Sequence, residues 1–185
     1  MKRPNRIKGY FLLSLIAMAA VGISCNINKT TDGATTDVAE VEKSTSAVKW
    51  MTMAEALSAQ EKKRKKIFID TYTDWCHWCK VMDQKTFSDP DVAAYLNKEY
   101  YSVKLDAESD EKVKYKGKEM SYRQLAATFG VSAYPTTVYL DEVGDLLTTK
   151  SGYVEADDMG VILHYLATDS YKTYTYEQYL KIYDN

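Results

Sequence analysis

The chain has 185 residues, 45% of them hydrophobic, and a formal net charge of −2. That is long enough for one globular domain with a proper core. The near-neutral balance offers no electrostatic footprint for nucleic acid, which is excluded as a partner class. No internal repeat is present.

The N-terminus belongs to a different category from the rest. Lys2, Arg3, Arg6 and Lys8 form a basic stretch, and an apolar run follows from Tyr10 to Ile23. With small residues before Cys25, residues 1–24 read as a signal peptide, too short to be taken first as a spanning helix. Cys25 stands where cleavage would fall and resembles the acylated lipobox cysteine of bacterial lipoproteins, although Gly22 replaces the usual leucine. The alternative is an ordinary secretory signal with an incidental cysteine. That would leave an unpaired thiol in an oxidising compartment, so lipidation is the preferred expectation. Residues 25–46 are rich in Thr, Ser, Asp and Lys and lack aromatics, the composition of a flexible tether. The folded domain is expected over 47–168, with a Tyr-rich extension over 169–185.

Within the domain, Val48–Trp50 reads as a short extended lead-in. Met53, Ala56, Leu57 and Gln60 recur at helical spacing, predicting a helix to Lys65 whose basic end, Glu61–Lys66, is solvated. Ile67 to Tyr72 is β-rich and reads as a central buried strand. Cys79, Met82 and Thr86 continue at helical spacing, and Ser88-Asp89-Pro90 starts a further helix with Val92, Ala93 and Leu96 inside. Tyr101–Leu105 alternates as a strand. Residues 107–118 are polar and are expected to form a loop with a helical fragment. Ser121 and Gln124 make a capping box for a helix through Phe129, closed by Gly130. Strands follow over Thr136–Leu140 and Leu146–Ser151, then a core helix from about Glu155 to Leu166. This order predicts an α/β fold, a central mixed sheet with helices on both faces.

The chemistry is concentrated in DTYTDWCHWCK, Asp70–Lys80. Two cysteines three apart suit either metal ligation or thiol–disulfide exchange. A structural zinc site needs four ligands, and beyond Cys76, Cys79 and His77 only His164 remains, far away on a predicted core helix. No metal is therefore expected. A bridge across so short a loop constrains the unfolded chain little, so it is a poor staple. It is well suited to redox work. A strand, then CxxC, then a helix puts Cys76 at the helix N-terminus, where free N–H groups and the dipole favour its thiolate. Cys76 is expected to attack and the less accessible Cys79 to resolve the mixed disulfide. Protonated His77 is placed to assist the thiolate, or is an exposed spacer. Trp75 and Trp78 are expected to shape an apolar contact surface.

Taken together, Trp75-Cys76-x-x-Cys79-Lys80 after a strand, Asp70 within it, Lys104 on the next strand and Tyr134-Pro135-Thr136 before the following one resemble the thioredoxin superfamily. The resemblance covers about residues 47–168 and implies the thioredoxin fold. It implies that Asp70 is a buried proton acceptor for Cys79, with a raised pKa, and that Lys104 pairs with it. It implies a cis Pro135 facing the disulfide, and a groove of Trp75, Tyr134, Pro135 and Thr136 that takes an extended substrate by strand addition. The run Asp74–Lys80 followed by Thr86–Pro90 is similar to the C-terminal periplasmic domain of the DsbD-type reductases. There Asp83 would join Asp70 in disfavouring ionisation of the resolving thiol. The His77-Trp78 dipeptide departs from that family's pairs, at positions that influence redox potential.

These features imply a thiol:disulfide oxidoreductase of the bacterial cell envelope, anchored to a membrane by lipid. It would need no cofactor beyond the Cys76–Cys79 disulfide. Protein disulfides would be its substrates, and an upstream donor such as a membrane thiol reductase would supply electrons. Reduction is the first expectation; an oxidase or isomerase, or a redox-inert binding module, are the alternatives. Tyr171, Tyr174, Tyr176, Tyr179 and Tyr183 imply either an extra packed helix or a docking patch.

Overall fold

The computed structural model describes residues 47–183. The expectations for residues 1–46, including the signal peptide, Cys25 and the tether, lie outside the described residues. Seven strands and six α-helices follow in the order β1 (Trp50–Met51), α1 (Met53–Lys62), β2 (Lys66–Tyr72), α2 (His77–Lys85), α3 (Pro90–Glu99), β3 (Tyr100–Asp106), β4 (Lys112–Tyr115), β5 (Lys118–Ser121), α4 (Tyr122–Thr128), β6 (Thr136–Leu140), β7 (Leu146–Ser151), α5 (Ala156–Ala167) and α6 (Tyr176–Tyr183). The main sheet has the order β1-β3-β2-β6-β7. β1, β3 and β2 run parallel, while β6 is antiparallel to both β2 and β7. This is the mixed sheet expected from the alternating pattern.

Both faces are covered, and the pleat of β2 shows how. Ile67 and Ile69 turn to a core with Met53 and Ala56 of α1 and Leu125 and Ala126 of α4. Phe68, one residue out of phase, turns to the other core with Met82, Phe87, Leu96, Met159 and Leu163, from α2, α3, α5 and the turn after α2. Asp70 shares the pleat of Phe68, so a carboxylate occupies what pattern alone would make an apolar position.

Several helix ends follow their sequence signals. Thr52 and Glu55, and Ser121 and Gln124, form complete capping boxes. Asp89 accepts from the N–H groups of Asp91 and Val92, with Pro90 just inside α3.

Three expectations are corrected. Residues 112–121 form an antiparallel hairpin rather than a loop with helix, because Val113 and Tyr115 alternate with lysines and are buried. Its turn uses Lys116 and Gly117, both at positive φ (47° and 80°), where glycine relieves the backbone. The first helix stops at Lys62, not Lys65. Lys66, expected at a solvated helix end, instead begins β2 and is 3% exposed, with its Nζ held by Glu142 (2.5 Å) and Asp169 (2.7 Å).

His164, on α5, is half-buried. Its ring lies beside Tyr95, Tyr179 and Tyr183. The tail supplies α6, which packs on α5 through the buried Tyr179.

Candidate active site

The active-site candidate sits where β2 ends and α2 begins. Cys76 is the N-cap of α2, its N–H donates to the Thr73 carbonyl (3.1 Å), and its Sγ accepts from the Cys79 N–H (3.1 Å). An extended N-cap with a side-chain acceptor is what the first turn of a helix requires, since its N–H groups have no intrahelical partner. Cys76 and Cys79 are joined at disulfide distance, S–S 1.99 Å. The expected contrast in accessibility is not found at the level of the whole residue, because Cys76 is 4% exposed and Cys79 3%. What separates them is position: one at the cap, the other a turn inside.

Aromatic rings flank the pair on two sides. Trp75 is 67% exposed, meets Tyr134 edge-on (5.9 Å) and donates from Nε1 to Glu108 Oε2 (3.1 Å). Trp78 is 55% exposed and rests against Tyr153 (5.5 Å) and the exposed His77 (5.8 Å). The Tyr134–Pro135 peptide is cis, and the Pro135 carbonyl accepts from the Gly152 N–H (2.8 Å). No backbone hydrogen bond within the described residues engages Tyr134. Thr136 differs from its expected place in the groove. It is buried, and its Oγ1 bonds the Ala133 carbonyl (2.8 Å) and Ser151 Oγ (2.9 Å), so it ties the loop instead of facing outward.

A chain of charges links β2, β3 and α2. Asp70 on β2 is 1% exposed and stands in register with Lys104 on β3, whose Nζ donates to Asp70 Oδ2 (2.6 Å). Lys104 Nζ also pairs with Asp83 on α2. Asp70 Oδ1 has no hydrogen-bond partner among the described residues. Burial pushes the Asp70 carboxyl up to about 6, with Asp83 adding to the rise and Lys104 limiting it. Burial alone would lower the Lys104 ammonium, but Asp70 and Asp83 outweigh it and hold it above its usual value.

Some contributors were not singled out in the sequence. The rings of Trp50, Tyr72 and Phe87 lie around Lys104 Nζ at 5.0, 5.2 and 5.5 Å, adding cation–π support. Trp50, Phe87, Asp83 and Lys104 also line a cleft of about 410 Å³ on this side. Glu108 and Tyr153 complete the two aromatic walls. Trp50, Glu108 and Tyr153 carry no local motif, because each comes from a separate segment that only the fold brings in. Among the described residues no His, Cys, Asp and Glu cluster is arranged to hold a metal ion.

A family model described as Thioredox_DsbH, protein of unknown function (DUF255), matches residues 39–173, most of the chain. The chain belongs to this family. Among curated relatives of this Thioredox_DsbH member, a thiol:disulfide interchange protein DsbD 2 of Pseudomonas aeruginosa is 26% identical over 112 residues. The match covers 60% of this chain and 18% of that relative. A solved structure described as DsbH oxidoreductase has a TM-score of 0.54 at 18% identity, covering 76% of this chain and 95% of the other. A thioredoxin from Thermus thermophilus has the same TM-score at 19% identity, covering 66% and 89%. The fold is therefore the thioredoxin fold. No helix of the described residues is long and apolar enough to cross a membrane.

Proposed function

We propose that the chain is a thiol:disulfide oxidoreductase that reduces protein disulfides through Cys76 and Cys79. The observation that carries this is the bonded cysteine pair at the start of α2, backed by a buried carboxylate that titrates near neutrality. In the reduced state, the α2 N-terminus and the Cys79 N–H stabilise a Cys76 thiolate. That thiolate attacks one sulfur of a substrate disulfide; the Cys76–substrate bond forms, and the other substrate sulfur leaves as a thiolate. Cys79 then loses its proton to Asp70 and attacks Cys76 Sγ. The Cys76–Cys79 bond forms, the second substrate thiolate departs, and two electrons have passed to the substrate.

Trp75, Tyr134 and Pro135 form the substrate groove in this reading, with the unengaged Tyr134 backbone offered to an extended segment. His77 and Trp78 tune the pair from the exposed side, and Lys104 and Asp83 tune it through Asp70. Cys25 is the lipid attachment point after removal of residues 1–24, and residues 25–46 are the tether to a bacterial envelope membrane. A donor of electrons, such as a membrane thiol reductase, then returns Cys76–Cys79 to the dithiol. Trapping tests the reading. A Cys79→Ser variant is expected to accumulate mixed disulfides with protein substrates, abolished by adding Cys76→Ser. Absence of any Cys76-dependent adduct would contradict it.

A further inference from the structure

The disulfide end of the molecule is acidic although the chain as a whole is close to neutral, −2 over 185 residues. The cause is the way the turn after β3 folds against the end of β2. The Ala107 N–H donates to the Tyr72 carbonyl (2.9 Å), and Asp106 stands in register with Tyr72. This brings Asp106 and Glu108 alongside the loop that holds Asp74 and Trp75. Burial first, then Asp106 and Asp74, push the Tyr72 phenol above its usual value, as two nearby carboxylates would. Glu108 is fixed more firmly, since its Oε2 accepts from Trp75 Nε1 while its carbonyl accepts from Arg123 (2.5 Å). Asp110 lies 3.8 Å from the same Arg123.

Of the carboxylates on this flank, Asp110 faces Arg123, Glu108 accepts from Trp75 Nε1, Asp106 Oδ1 accepts from the Glu108 N–H (2.9 Å), and Asp74 is exposed. Of the lysines on the neighbouring elements, Lys104 is committed to Asp70 and Asp83, and Lys80 on α2 is exposed. The acidic flank adjoins the Trp75–Tyr134 wall through the Glu108–Trp75 hydrogen bond.

We infer that the groove beside Cys76 selects a cysteine-containing peptide segment with lysine or arginine next to its cysteine. This rests on the redox reading of the same site and adds the partner's charge to it. Cationic side chains are drawn by the acidic flank, and their aliphatic stems and charge both suit the exposed faces of Trp75 and Tyr134. Rim charges of this kind act mainly on the rate of encounter and are weakened by salt. An acidic neighbour on the partner meets like charge and is disfavoured.

The test uses the oxidised full chain and two synthetic peptides with a single cysteine, one flanked by lysines and one by glutamates. In the step followed, the peptide thiolate attacks Cys76 Sγ. The peptide–Cys76 bond forms, the Cys76–Cys79 bond breaks, and Cys79 leaves as the thiolate. Each rate is divided by that of the same peptide with hydroxyethyl disulfide, a neutral disulfide, which removes intrinsic differences in thiol reactivity. The lysine peptide is expected to be faster by about tenfold at low salt, with the ratio shrinking toward one at 0.5 M salt. Asp74→Asn with Glu108→Gln is expected to flatten the preference. The glutamine keeps an acceptor for Trp75 Nε1, so the wall stays in place. Equal corrected rates for the two peptides would overturn the inference and leave the redox reading standing. Failure of both peptides and of dithiothreitol to open the disulfide would overturn both.

Discussion

Strand β2 carries a buried charge at each end, and the two are built to opposite specifications. At its start, Lys66 is the buried member, and both carboxylates that hold it, Glu142 and Asp169, are substantially open to solvent (41% and 39% of the side chain). Burial alone would lower the Lys66 ammonium, but its partners overcome that. The Lys66 and Lys172 contacts hold Asp169 down at about 2. Toward its other end, Asp70 is the buried member, it has one lysine, and one of its oxygens has no partner among the described residues. Its carboxyl rises to about 6. The first site locks its charges at every physiological pH. The second leaves a carboxyl whose pKa is raised toward neutrality, on the strand that leads to the cysteine pair. Similar ingredients thus give a clamp in one place and a carboxyl with a raised pKa in the other, and burial of the carboxylate together with its incomplete pairing decides which.

Three substitutions and one pH series test this contrast, in falling order of expected effect. Asp70→Asn should slow the resolving step about a hundredfold at pH 7, the range for a lost general base. Stopped-flow trapping of the mixed disulfide would show it accumulating. The same variant should remain as stable as the parent at pH 8 or become more so, because an incompletely paired buried charge has been removed.

Lys66→Ala should do the reverse. It should cost about 2–3 kcal/mol in denaturant unfolding and leave the exchange rate unchanged. The lower end applies because both carboxylates can regain water.

The pH dependence of stability should carry opposite signs from the two ends. Asp70 has a raised folded pKa, so its contribution is full below its unfolded value near 3.8 and is lost as pH rises through about 6. Asp169 has a depressed folded pKa, so its contribution is present above 3.8 and is lost as pH falls through about 2. Urea midpoints measured from pH 4 to 7 should decline less in Asp70→Asn than in the parent.

The smallest effect is expected of Asp83→Asn. Removing that carboxylate takes away a repulsion, so the Asp70 titration should move down by a fraction of a unit. Carboxyl chemical shifts across pH 4–8 would report it, and an upward move would mean that Asp83 acts on Asp70 mainly by holding Lys104.

How much of this was readable beforehand follows the same contrast. The redox end is written locally: a strand, two cysteines three apart, a helix, and Asp70 breaking an apolar run. Lys104, Tyr134 and Pro135 were placed by the resemblance of the whole set, and the structure puts Lys104 on Asp70. The clamp end was misread. Lys66 is the last of a basic run, and its partners lie 76 and 103 residues away, so nothing within a window of sequence distinguishes it from its solvated neighbours. The β4–β5 hairpin was missed for another reason. Its period of two was present in Lys112–Tyr115, but only two apolar residues mark it, and four lysines made the segment look like a loop. Thr136 followed the groove motif in sequence, yet the pleat of β6 turns it inward. Contacts made by single residues across the fold were the part that composition and spacing left hidden.

The measurement that bears most directly on the central claim is the equilibrium reduction potential of the Cys76–Cys79 pair, by titration against a glutathione or dithiothreitol couple. The expected value is near the thioredoxin level, about −270 mV, at which the dithiol donates electrons to substrate disulfides. A value near about −120 mV would make the pair a disulfide donor and contradict the proposed direction. A pair that never exchanges with either couple would contradict the redox function itself.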